Sequence, residues 1–168
     1  MKKITLGLIF TLFLGVFNCI QAAAENTYRN TFTGTPVTAK QAPRHPQGAP
    51  GSEASASFIC EATGDLPKVF TFTVFYDKDS NAIYGGEWKL LVSMPDASGN
   101  PVEKGTIRGT ISGGSVAVEN GKVISITGAN LVIGGGDGDY AQVSGSGTLS
   151  GNLDVTNNKF NGGMSLTF

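Results

Sequence analysis

From about residue 54 onward the chain alternates apolar and polar side chains with a period of two. KVFTFTVFYD (68–77) sets Phe70, Phe72, Val74 and Tyr76 against Val69, Thr71, Thr73 and Phe75. Successive strand residues point to opposite faces, so this pattern, rich in β-branched and aromatic residues, predicts a strand. ASASFICEA (54–62) precedes it, and AIYGGEWKLLVSM (82–94) returns after the turn cluster Asp77-Lys78-Asp79-Ser80-Asn81, with Gly85-Gly86 as a bulge. A second turn, Asp96-Ala97-Ser98-Gly99-Asn100-Pro101, leads into VEKGTIRGTIS (102–112). GSVAVENGKVISITG (114–128) carries the sharpest local signal. Its Asn120-Gly121 pair tolerates the positive φ values of a type I′ turn, whose twist suits a two-stranded hairpin. GANLVIGGG (128–136), AQVSGSGTLSGNLDVT (141–156) and KFNGGMSLTF (159–168) complete the set, with Asn157-Asn158 as another turn. No segment beyond the N-terminal run has the i, i+3, i+4 stripe of an amphipathic helix.

Glycine is dense in the second half, 15 of the 64 residues from Gly105 to Phe168. That density is unfavourable in helices; in strands it marks bulges, corners and close backbone approach. GTIRG (105–109) and GTLSG (147–151) echo one another. They read as two strands meeting one geometric demand, such as a barrel bend.

The first 53 residues differ. Lys2 and Lys3, the apolar run Ile4 to Phe17 and Ala22-Ala23-Ala24 have the layout of a signal-peptide helix cleaved near Ala24. The run falls short of a membrane-spanning helix, so no stable membrane anchor is expected. Phe17 and Asn18 precede Cys19 where a lipidation motif wants small residues. The protein is thereby expected to be secreted or periplasmic. Residues 25–53 read as an N-terminal arm, with a short strand around Tyr28 to Phe32 and then four of the chain's seven prolines, Pro36, Pro43, Pro46 and Pro50. Proline lacks an amide donor and fixes φ, so this stretch reads as an extended loop or mobile linker, outside any helix or central strand. The barrel domain is expected to occupy residues 54–168.

Charge and reactive residues narrow the chemistry. Beyond residue 24 there are ten Lys and Arg against 13 Asp and Glu, which offers no basic surface for nucleic acid. One cysteine remains there, Cys60, in an alternating apolar stretch, and it reads as a small buried hydrophobe. His45 is the only histidine and sits among the prolines. No Ser-His-Asp set and no paired-carboxylate signature stands out, and neither a metal nor an organic cofactor is expected.

The stretch IGGGDGDY (133–140) invites three readings. Gly136-x-Gly138-x-x-Ala141 fits a dinucleotide fingerprint, but that motif needs a helix to follow, and AQVSGSGTLSGN has no helical stripe. Asp137 and Asp139 stand at a cation-loop spacing without the further ligands of such a loop. The third reading is a turn whose glycines let the backbone bend before Tyr140. The run Gly135-Gly136-Asp137-Gly138-Asp139-Tyr140-Ala141-Gln142-Val143-Ser144-Gly145 resembles the closing half of the allene oxide cyclase and dirigent barrels. The resemblance extends over residues 105–168, and over 54–104 by strand count. It implies an all-β, antiparallel barrel of roughly eight strands, of that kind or calycin-like. It implies no activity, and no catalytic residue carries over.

A barrel of this size has room for side chains or one small ligand. The leading expectation is a binding module for a small hydrophobic ligand, lined by Phe70, Phe72, Trp88 and Tyr140 with Glu87 as a polar group, or for a protein partner met through the Pro-rich arm or an edge strand. A barrel isomerase or cyclase would draw its acid or base from Glu61 and Glu87, with Cys60 nearby. A small outer-membrane barrel is a further alternative, suggested by the alternation Phe160, Gly162, Met164, Leu166, Phe168 at the end of the chain.

Overall fold

In a computed structural model the described residues are 25–168, and residues 1–24, where a signal peptide is expected, lie outside them. The chain forms nine strands: β1 (Thr27–Val37), β2 (Glu53–Gly64), β3 (Lys68–Asp77), β4 (Ile83–Pro95), β5 (Pro101–Ser112), β6 (Ser115–Glu119), β7 (Lys122–Gly136), β8 (Gly145–Asp154) and β9 (Lys159–Thr167). All neighbours are antiparallel, in the order β5-β4-β3-β2-β1-β9-β8-β7-β6. A further pairing of β5 with β7, from Ile107↔Gly136 to Ser112↔Asn130, closes eight of the strands into a barrel. Every stave of that barrel lies within residues 25–168. The extra strand β6 prolongs the line of β5: after Gly113-Gly114 the pairing with β7 resumes in the same register at Ser115↔Thr127.

The period-two segments become strands much where the alternation places them. The stretch 68–77 is β3 to the residue. Asn120 and Gly121 have φ of 49° and 74°, the left-handed pair that a type I′ hairpin turn requires. The bulge expected at Gly85-Gly86 falls one residue earlier. Phe75 pairs with Gly85 and Tyr76 with Ile83, which leaves Tyr84 as the extra residue.

The short strand expected around Tyr28 to Phe32 is present as β1, and the departure is its length and role, since the sequence places that segment in an arm outside the barrel. β1 is a full stave, bonded to β2 on one side and β9 on the other, so the barrel begins at Thr27. Proline did not prevent this because Pro36 stands beyond Gly34, the last β1 residue paired with β9. There the strand has only one neighbour, and a missing amide donor costs no ladder bond.

Inside the barrel five phenylalanines, Phe32, Phe58, Phe70, Phe72 and Phe160, form one cluster. Phe58 lies 4.4 Å from Phe160 and 4.9 Å from Phe72, ring centre to ring centre, and Phe32 lies 5.4 Å from Phe70. Each such pair adds about 0.5–1.5 kcal/mol beyond its area burial. Trp88 joins them, its indole N–H donating to the Thr110 carbonyl at 3.2 Å. The rings fit because the neighbouring staves carry glycine beside them. A Cβ on Gly151 would stand 2.5 Å from the Phe160 ring, and one on Gly162 2.5 Å from the Phe32 ring. One end is plugged by buried Leu66, held by the Asn30 side chain, which donates to the Leu66 carbonyl (2.8 Å) and accepts from its N–H (3.3 Å). Many outward positions are polar or charged, among them Glu87 and Lys89 on β4, Arg108 and Thr110 on β5, and Ser146, Thr148, Ser150 and Asn152 on β8, with exposed Val37, Ile59, Val69 and Val132 interspersed.

Two glycines near the closing seam test this packing. A Cβ at Gly109 would meet the Val132 carbonyl oxygen at 1.8 Å and Trp88 Nε1 at 2.9 Å, whereas one at Gly134 has nothing nearer than 3.9 Å. Gly109→Ala is expected to lose about 3 kcal/mol, an overpacking cost. Gly134→Ala is expected to stay within about 0.5 kcal/mol of the parent. Urea unfolding of residues 25–168 measures both, and equal stabilities would contradict the close approach.

Candidate functional site

The connection from β1 to β2, Thr38 to Ser52, holds the remaining three prolines of the N-terminal region, and it does not hang free. It runs back as a strap over the outer face of β2–β4. Proline keeps its carbonyl while losing its amide, and carbonyls fasten the strap: that of Lys40 accepts from Ser55 Oγ, and that of Pro43 from the Tyr84 hydroxyl at 2.7 Å. The His45 ring meets Tyr84 edge-on at 4.3 Å. Glu53 receives the backbone N–H groups of His45 (3.3 Å) and Gly51 (2.9 Å). At the far end Ser52 Oγ donates to Asp77 Oδ2 at 2.5 Å. Side-chain bonding of this kind is what the linker reading missed. Its signal lay in Glu53, just behind the prolines, and in Tyr84 and Asp77, far along the chain from them.

Beside the strap the outer face of β2–β5 is hollowed into a groove of about 700 Å³. Strand register supplies two outward rows. One runs Ser57, Thr73, Glu87, Thr110; the other runs Ile59, Thr71, Lys89, Arg108. Phe58, Phe72 and Trp88 contribute to the floor, Gly109 and Gly134 to the β5–β7 side, and Val37, Thr38 and Lys40 to the strap side. Ser57 and Thr73 are buried although they point outward, and their hydroxyls hydrogen-bond each other at 2.8 Å. Lys40 reaches from the strap to an ion pair with Glu87. Lys89 and Arg108 are exposed and have no ion-pair partner among the described residues.

The residues expected to line a ligand site fall into three places. Phe70, Phe72 and Trp88 point into the barrel and are at most 3% exposed. Glu87 lies on the opposite face of the same sheet, where Phe72 and Trp88 touch the groove from beneath. Tyr140 ends the short 3-10 turn Gly138–Tyr140 and packs edge-on against Phe168 at 6.3 Å, away from the groove. Thus Phe72, Trp88 and Glu87 share one wall, while Phe70 and Tyr140 do not reach it. Residues that line the groove without having been singled out are Ser57, Thr73, Lys89, Arg108 and Thr110. They are ordinary polar positions of an alternating strand, and only the strand register sets them side by side.

The groups considered for catalysis are separated. Cys60 is inward, 2% exposed, and burial pushes its thiol up to about 12. Glu61 is the next residue and so faces outward, as Glu87 does. The sheet therefore stands between the thiol and both carboxylates. His45 Nδ1 accepts the Gln47 N–H at 3.0 Å. In the glycine stretch, Asp137 Oδ1 accepts the Thr106 N–H at 2.7 Å while the Asp137 N–H donates to the Thr106 carbonyl at 2.9 Å. Asp137 thus pins the bend to the start of β5, and Gly138, with φ of 58°, turns the chain there. Among the described residues no three His, Cys, Asp or Glu side chains gather in a way that could hold a metal ion.

Comparison with known proteins adds no assignment: no family model, no curated protein and no solved structure matches the chain.

Two outcomes follow from the charges described. Cys60 is expected to resist a thiol reagent in the folded protein at pH 8 and to react fully in denaturant, because the neutral buried thiol is a poor nucleophile; stoichiometric labelling of the native state within minutes would contradict its placement. Asp77 is held down to about 2, first by the Ser52 hydroxyl and then by the Ser80 N–H. A carboxyl depressed in the folded state contributes stability above its unfolded value near 3.8, and that contribution is lost as pH falls through about 2. Acid unfolding between pH 4 and 2 should therefore be shallower in Asp77→Asn, which should also be less stable at neutral pH. Superimposable curves for parent and variant would show that the strap anchor contributes nothing.

Proposed function

We propose that the protein is an exported β-barrel that binds a small, largely apolar molecule in the groove on its outer face. The observation that carries this reading is the groove itself. Its volume of about 700 Å³ lies within the range of small-molecule sites, roughly 300–1,000 Å³, and like them it joins apolar walls to a few placed polar groups. The strap adds a rim on one side, and the buried Ser57–Thr73 pair supplies hydroxyls at the base. Export rests on the basic, apolar and small-residue order of residues 1–24.

Binding is favoured over catalysis because the nucleophile and the acids lie on opposite faces of one sheet. It is favoured at the groove over the barrel interior because the phenylalanine rings pack on one another inside.

Blocking the groove tests the proposal. Thr110 is exposed on its wall, so Thr110→Phe should leave stability within about 1 kcal/mol. Titration calorimetry with small apolar probes should show saturable binding to residues 25–168, weakened at least ten-fold, about 1.4 kcal/mol, in the variant. Undiminished binding in Thr110→Phe would move the site elsewhere.

A further inference from the structure

Lys89 and Arg108 are register partners on β4 and β5. Directly opposed residues on one face of an antiparallel pair have Cβ atoms about 4.5–5.5 Å apart, and like charges so placed destabilise the sheet. The fold gives this pair no compensation, since neither has an ion-pair partner among the described residues. Around them, Glu87 is paired with Lys40, and Glu61 stands two residues beyond Ile59 on β2, with β3 between it and Lys89. On the other side Arg108 faces Gly135 of β7, and Gly134 lines the groove beside it. Glycine leaves bare backbone there, so nothing crowds the two cations. The opposite end of the groove is apolar, with Ile59 50% and Val37 38% exposed. The groove is thus graded from cationic at β4–β5 to aliphatic at β1–β2, across three interstrand spacings from β2 to β5, or about 14 Å.

We propose that the groove binds an amphipathic anion, an aliphatic carboxylate whose head lies between Lys89 and Arg108 and whose chain runs over Thr71 toward Ile59 and Val37. This rests on the groove reading above and adds the ligand's charge and direction to it. A carboxylate between the two cations turns their repulsion into two charge-assisted hydrogen bonds. The Lys40–Glu87 pair flanks the chain and is left intact, with Glu87 closed to a cationic head by the lysine it already holds.

The test is a set of probes with one alkyl chain and three heads: decanoate, decanol and decyltrimethylammonium, each below its micellar concentration. Calorimetry with residues 25–168 should show decanoate binding at least ten-fold more tightly than decanol, and the ammonium at least ten-fold more weakly than decanol. The double variant Lys89→Gln/Arg108→Gln should bind decanol as the parent does, with decanoate reduced to the decanol level. Lys89→Gln alone should melt no lower than the parent, because it relieves a like-charge contact. If decanol binds, Thr110→Phe abolishes it and decanoate is no tighter, the groove reading stands and the anion proposal falls. Should no probe bind, both fall together. A retained preference for decanoate in the double variant, or a clear loss of stability in Lys89→Gln, would also overturn the assignment of these two residues.

Discussion

The structure depends on fitting five phenyl rings and an indole inside an eight-stranded barrel. A barrel of that size has an interior just wide enough for its side chains. The rings fill it only because the adjacent staves give up side chains of their own. Gly151 yields to Phe160, Gly162 to Phe32, and Gly109 to Trp88, each so closely that a single added carbon would overlap its neighbour. Burial of large aromatic surface is the main favourable term, and the glycines are the geometric condition for it. Their backbone freedom in the unfolded chain is an entropic cost that the aromatic cluster offsets.

An interior occupied in this way leaves the groove to the outer face. The outer face of a barrel is convex and ordinarily offers little concavity. Here the connection from β1 to β2 supplies the missing wall. Because its prolines cannot donate to a ladder, the strap lies across the sheet without adding a strand to it. It is held through its carbonyls by Ser55 and Tyr84 and through the Lys40–Glu87 pair. The same contacts bury Ser57 and Thr73, which would otherwise be unremarkable outward residues. The hollow is therefore a product of the strap and of the bulged β5–β7 seam together.

Much of the barrel is legible in the sequence because strand alternation is a local property. The stretch 68–77, the Asn120-Gly121 turn and the bend after Ile133 each carry their own geometry in adjacent residues. What escapes is non-local. The core of β1 is legible as a short strand around Tyr28 to Phe32, but its length and its place as a stave follow only from its bonds to β2 and β9. The site escapes for the same reason. Aromatic residues in an alternating strand read as candidates for a ligand wall, yet alternation alone does not say whether facing rings leave a gap. Phe70 and Phe72 close on each other at 5.1 Å. Lys89 and Arg108 stand 19 residues apart in sequence, and their juxtaposition follows from a register slip between Val92 and Ser93.

That slip connects the two halves of the molecule's design. Where Val92 pairs with Gly105 and Ser93 with Glu103, Lys104 is left over. Where Arg108 pairs with Gly135 and Gly109 with Ile133, Gly134 is left over. Both irregularities sharpen the local twist, as bulges do; the first lies in the β4–β5 ladder just before β5 begins to pair with β7, and the second in the β5–β7 seam that closes the barrel. The second also places side-chain-free backbone next to Arg108, on the groove side. Closure and concavity thus share one cause. A residue with a long side chain at Gly134, beside the two cations, would narrow the approach to them from β7.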